Sequence, residues 1–143
     1  MSVTDAPRKI VPARRKARKR AVDILYEAEM RSVDALEVLR QKIDRADPPI
    51  SEYTRTLVDG VSEHQARIDE LITTYAREWS LERMPPVDRN IVRVATFELL
   101  WCEEIDAPVA ISEAVELAKS LSTDDSPRFV NGLLDRLANQ AAG

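Results

Sequence analysis

The chain has 143 residues, 44% of them hydrophobic and 32% charged, with a formal net charge of −4. That is the length of one domain and the balance of an ordinary soluble globule. One cysteine (Cys102) excludes an internal disulfide, and with one histidine (His64) it excludes the usual zinc sites.

The N-terminal end is the most polarised part of the chain. Residues 8–20 hold Arg8, Lys9, Arg14, Arg15, Lys16, Arg18, Lys19 and Arg20 and no acid, so the first twenty residues carry +7 and the remaining 123 carry −11. An acidic globule with one strongly basic end is a candidate docking surface for a polyanion. Residues 1–12, with Pro7 and Pro12, read as a flexible arm ahead of the first helix. No apolar run follows the basic start, so no signal peptide is expected.

From about residue 13 the pattern is that of an amphipathic helix. Ala17, Ala21, Ile24, Leu25 and Ala28 form a core-facing stripe, and Arg15, Lys19, Val22 and Tyr26 a second stripe beside it. Cations with a flat ring below them suit single-stranded nucleic acid, the charges for phosphates and the ring for an unstacked base. The plainer alternative is a solubilising face with Tyr26 as a half-buried edge residue.

Ser32 or Asp34 can cap a second, short helix reaching about Asp44, with Leu36, Leu39 and Ile43 inward; Asp47-Pro48-Pro49 ends it. Ser51 caps a long third helix to about Ala76, with Tyr53, Leu57, Val61, Ile68, Leu71, Ile72 and Tyr75 along its stripe. Gly60 in its middle points to a close helix crossing or a break. Trp79–Pro86 reads as a connection with one helical turn at Leu81–Met84. Val87–Glu104 is a fourth helix, apolar almost all round and therefore enclosed, with Asp88, Arg89 and Arg93 near its start as structural ion pairs or a polar surface site.

A fifth helix runs over Val109–Leu121, where Glu113 and Glu116 read as a solvated face. Ser126-Pro127 opens the sixth, with Asp125 or Ser126 as cap and Val130, Leu133, Leu134 and Leu137 inward. Phe129 lies at the edge of that stripe, facing either the core boundary or a partner. No strand alternation, repeat or glycine-rich phosphate loop appears, His64 has no ligand or catalytic partner at helical spacing, and Cys102 reads as a small buried hydrophobe. The expected class is all-α, non-enzymatic and cytoplasmic, with no cofactor and no membrane span. The most apolar stretch, Ile91–Cys102, is too short to cross a bilayer and contains Arg93 and Glu98.

Several blocks resemble the NusB family of bacterial antitermination factors. They are Arg14-Arg15-Lys16-Ala17-Arg18 with Ala21-Val22 and Leu25-Tyr26, the Gly60-Val61 helix, PPVDRNIVRVATFELL (Pro85–Leu100) and VAISEAVELAKSLSTDDSPRFVNGLLD (Val109–Asp135). The resemblance covers about residues 13 to 137. It implies a bundle of about six to seven helices in one domain over 13–143, with subdomains at about 13–78 and 79–139. It also implies binding of single-stranded boxA RNA of ribosomal RNA leaders, together with NusE (ribosomal protein S10), in a complex with RNA polymerase and other Nus factors.

Carried over by position, the resemblance implies that Arg14, Arg15, Arg18 and Tyr26 face RNA, and Lys19, on the same stripe as Arg15 and Tyr26, joins them as a candidate RNA contact. Asp125 and Phe129 would lie at the RNA and NusE surface, and Asp88 at the NusE interface. The −11 remainder suits a basic ribosomal protein. Asp23 and Glu27, on the outer side of the first helix, limit the positive surface. Two other readings stand beside this one. A NusB-like domain also opens ribosomal RNA cytosine methyltransferases, but that needs a following catalytic domain and the chain ends at Gly143. The other is a helical protein-interaction module, or a homodimer that hides Arg15, Lys19 and Tyr26, without direct RNA binding.

Overall fold

The computed structural model describes the backbone of residues 5–46 and 48–142 and the side chains of 12–46 and 48–140. Among these residues there are six α-helices, one 3-10 turn and no strand. The helices are α1 (Asp5–Arg31), α2 (Ala35–Arg45), α3 (Glu52–Tyr75), α4 (Pro86–Trp101), α5 (Ala107–Leu121) and α6 (Ser126–Ala142), and the 3-10 turn is Leu81–Arg83. The class agrees with the sequence reading.

Helix α1 begins earlier than expected. The segment read as an arm is helical from Asp5 and carries Pro12 inside it; the expectation for residues 1–4 lies outside the described residues. Pro7 falls in the first turn, where its missing N–H has no intrahelical acceptor to lose. The Ala, Arg and Lys residues that follow are strong helix formers. The core stripe lies as read, with Ala17, Ala21, Ile24, Leu25 and Ala28 all buried.

Asp34 caps α2, accepting from the Leu36 N–H at 2.9 Å, and the helix ends at Ala46 in the left-handed region (φ 52°). The inward set differs from expectation, since Val38 is buried and Leu36 is exposed. The buried face of α2 centres between Val38 and Leu39, roughly a third of a turn away from Leu36. Ser51 caps α3 as read, accepting from the Thr54 N–H at 3.2 Å. Helix α3 then runs unbroken through Gly60, which sits directly against the ring of Phe97 on α4. That glycine marks a close crossing, and no break.

Every residue of α4 from Asn90 to Glu98 is buried, and the helix packs on α1, α3, α5 and α6. It stops at Trp101 rather than Glu104, with Cys102 in the cap position. Helix α5 starts at Ala107, two residues before its expected start, because Pro108 fits inside the first turn. Helix α2 lies against α1 and α3, while α5 and α6 pack on each other and on α4. The boundary expected near residues 78–79 falls between α3 and the 3-10 turn, and one apolar core runs across it from Ala21 to Leu137. There Trp79 packs on Phe129 of α6, ring centroids 4.7 Å apart.

Candidate nucleic-acid interface

The basic residues of α1 divide into those that face solvent and those drawn into the protein. Arg15, Lys16, Lys19 and Tyr26 are exposed along the helix. Lys19 makes only a loose pair with exposed Asp23, at 3.3 Å. Tyr26 is 38% exposed, and Met30 one turn later is 50% exposed. Arg14 is half-buried, its guanidinium 5.0 Å from the centre of the Tyr53 ring.

Arg18 is not on this face. It is 3% exposed, and its Nε donates to both carboxylate oxygens of Glu98, at 2.9 and 3.0 Å. Its Nη1 donates to Glu113 Oε1 at 3.2 Å. The Tyr53 hydroxyl closes the group by donating to Glu98. The expectation that Arg18 meets a polyanion is therefore corrected. Arg18 lies seven residues before Leu25, on the same line of the helix, so its position turns it inward. The same rule overturns the solvated reading of Glu113, which stands in line with Ala110 and Leu117 and is buried. Glu116 is exposed and pairs with Lys119 at 3.3 Å.

Arg15 reaches Glu113 from the outer side. Its Nε and Nη2 donate to the two carboxylate oxygens at 3.0 and 2.7 Å, a two-pronged charge-assisted pair. The hydrogen bond from Arg15, with the charges of Arg15 and Arg18, holds the Glu113 carboxyl below the ordinary glutamate range against the opposing effect of burial. Arg15 and Arg18, expected at RNA, and Glu113, expected in solvent, thus join α1 to α5.

Asp88, expected at a partner interface, is wholly buried. It sits in the first turn of α4 beneath the link between α5 and α6, accepting from Ser122 and, at 2.6 Å, from Ser126. Ser126 therefore binds Asp88 rather than capping α6, and the Asp125 carbonyl accepts the first helical bond from the Phe129 N–H at 3.2 Å. Phe129 is buried against Trp79, on the core side of the two alternatives. Asp88 and Phe129 are 0% and 3% exposed, inside the protein rather than on the surface where they are expected. Asp125 is exposed beside Arg128, their charged groups 3.7 Å apart.

A second polar group lies on the opposite side of α4. Glu29 accepts from Arg89 and Arg93, Arg93 makes a two-pronged pair with Asp69 at 2.8 and 3.0 Å, and Arg89 also donates to the Leu81 and Met84 carbonyls. This settles Arg89 and Arg93 as structural pairs. Burial pushes the Glu29 carboxyl up, but the hydrogen bonds and charges of Arg89 and Arg93 more than offset this and hold it below 4.5.

Glu29 and Glu113 share a consequence for acid stability. A carboxyl whose folded pKa lies below its unfolded value adds stability above that unfolded value and loses it as pH falls through the folded one. Melting temperature is expected to fall as pH drops below about 4.5, the unshifted glutamate value. Thermal melts from pH 7 downward check this, with Glu29→Gln expected to flatten the decline and an unchanged profile counting against it.

His64 is half-buried and stacks on Trp101, ring centroids 4.3 Å apart. Burial pushes the Cys102 thiol up to about 11, so it stays protonated and unreactive. Among the described residues no group of three or more His, Cys, Asp or Glu is placed to hold a metal ion, and no helix is long and apolar enough to cross a membrane.

The sequence pattern of the NusB family matches residues 15–139. The transcription antitermination protein NusB of Kineococcus radiotolerans is 58% identical over 126 residues, covering 88% of this chain and 93% of that protein. That of Salinispora arenicola is 55% identical over 134 residues, covering 92% and 98%. Among solved structures, T. maritima NusB superposes with a TM-score of 0.78 at 37% identity, covering 89% of this chain and 91% of that one. A complex of the antitermination factors NusB and NusE with double-stranded RNA superposes with a TM-score of 0.80 at 25% identity, covering 91% and 98%.

Proposed function

The chain belongs to the NusB family of non-catalytic transcription antitermination factors, and on that footing we propose that it binds single-stranded boxA RNA of ribosomal RNA leaders together with NusE, the ribosomal protein S10. The observation that carries this reading is the exposed face of α1, where Arg15, Lys16 and Lys19 stand on the same helix as an exposed Tyr26. The cations neutralise phosphates, and the phenol ring offers a stacking surface to an unpaired base. Arg14, half-exposed beside Tyr53, extends the positive surface. The acidic remainder of the protein complements a basic ribosomal protein and steers its approach, with Asp125 as an exposed contact. In this reading the protein works in the cytoplasm, in an assembly with RNA polymerase and other Nus factors.

Fluorescence anisotropy of a labelled single-stranded boxA-type RNA, titrated with the protein alone and then with NusE present, tests the proposal. Sequence-selective binding strengthened by NusE supports it, and no binding in either condition sinks it. A duplex of the same sequence, run in parallel, separates single-strand reading from general affinity for RNA. Two variants localise the surface. Arg15→Ala is expected to weaken binding and to flatten the salt dependence by about 0.7 in log–log slope, the loss of one phosphate contact on a single strand. Tyr26→Ala is expected to lose about 1–3 kcal/mol of binding if the ring stacks on a base. Wild-type affinity in folded Tyr26→Ala would assign the ring to packing alone.

A further inference from the structure

Resting on the RNA-binding reading, we infer that Glu113 is an internal competitor for the polyanion: its carboxylate occupies the Arg15 guanidinium fork that an RNA phosphate would take. The two ends of the pair differ sharply in exposure. The Arg15 side chain is 56% exposed and that of Glu113 8%, so an incoming phosphate can reach the guanidinium while the carboxylate stays in place beneath it. The fork geometry is the one with which guanidinium groups bind carboxylate and phosphate alike.

Displacement does not strand Glu113, because Arg18 donates to the same carboxylate at 3.2 Å and is itself held by Glu98. A buried carboxylate losing its sole cation would resist the exchange; one that keeps a second cation gives up the first far more easily. The surroundings suit a phosphate. Lys16 and Lys19 border the same cleft between α1 and α5, with the Ser120 side chain on the α5 side. A single phosphate must out-compete a preformed two-pronged pair at Arg15. A strand that also engages Lys16, Lys19 and Tyr26 brings the additional binding that makes the exchange favourable. Glu113 therefore raises the threshold for casual polyanions and favours ligands that cover the whole face.

The test is anisotropy titration of the same single-stranded RNA with wild type, Glu113→Gln, Glu116→Gln, Arg15→Ala and the Arg15→Ala/Glu113→Gln double variant. Glu113→Gln removes the competing charge but keeps an amide oxygen for Arg18. It is expected to bind the RNA about three- to tenfold more tightly, the scale of one charge-assisted pair no longer having to be broken. Glu116→Gln removes an equal charge from the same cleft without touching the Arg15 fork, and is expected to give a smaller gain. In the Arg15→Ala background the Glu113 substitution should lose its effect. Equal gains from the two glutamines, or a gain that survives without Arg15, would overturn the competition in favour of a general field effect.

Should Glu113→Gln fold poorly, arginine side-chain 15N NMR of the wild-type protein decides instead. Adding RNA should shift the Arg15 Nε–H signal and leave that of Arg18 in place; a stationary Arg15 signal overturns the inference. If the wild type binds RNA and Glu113→Gln changes nothing, the competition alone falls. If no variant binds with or without NusE, the RNA reading falls and takes the competition with it.

Discussion

Arg18→Ala is expected to cost about 3–5 kcal/mol of folding stability, the penalty for leaving one partner of a buried ion pair alone. Arg18 and Glu98 have side chains 4% and 1% exposed. Without the guanidinium, the partners left among the described residues are the Tyr53 hydroxyl for Glu98 and Arg15 for Glu113. A domain of this size has about 5–15 kcal/mol in hand, so the variant should unfold at a much lower denaturant concentration with little change in slope. At a temperature where it remains folded, its RNA affinity should fall less than that of Arg15→Ala, reversing the order expected if Arg18 were a phosphate ligand. Pairing Arg18→Met with Glu98→Gln should recover part of the loss, because well-packed neutral groups often replace a buried ion pair at little cost. A single Arg18→Ala variant within about 1 kcal/mol of wild type, the range of an exposed pair, would mean that the guanidinium is solvated.

Gly60→Ala carries the second large effect. On an exposed helix the change would gain roughly 1 kcal/mol from helix propensity. Here a Cβ at position 60 would overlap the ring of Phe97, itself buried on α4. The ring has little room to retreat, because it lies in the group formed with His64 and Trp101. The α3–α4 pair must then separate or tilt, and overpacking of this kind costs about 1–3 kcal/mol. Chemical denaturation measures the net change, and a stabilised Gly60→Ala would show that the crossing yields easily. Phe97→Leu in the same chain should relieve the overlap, so the double variant is expected to lose less than the sum of the two single losses.

Both residues mark where sequence reading stops. The helices and several of their caps were legible because apolar spacing and capping are local: Ser51 caps α3, Asp34 caps α2, and the near-continuous apolar run of α4 identifies the helix at the centre. Gly60 raised the choice between crossing and break, and only the presence of Phe97 opposite resolves it. Charged residues were harder. Arg18 finds its acids 80 and 95 positions along the chain, and no spacing rule in α1 announces them. The available signal was geometric, since Arg18 lies in line with Leu25 and Glu113 in line with Leu117. The charge of these residues points the other way, because long charged side chains are rarely buried unless paired. Asp88 and Phe129 had the same difficulty, as a segment rich in polar residues gives no sign of which ones turn beneath it.

The two tryptophans stand at different seams of the bundle. Trp101, at the end of α4, stacks on His64 of α3, whereas Trp79 in the connection after α3 leans on Phe129 of α6. Each indole is therefore a built-in optical probe of one junction, and the chain has no third to blur them. Replacing each in turn with phenylalanine gives two proteins whose intrinsic emission, compared through unfolding, reports whether the α3–α4 contact and the docking of α6 are lost together or in turn.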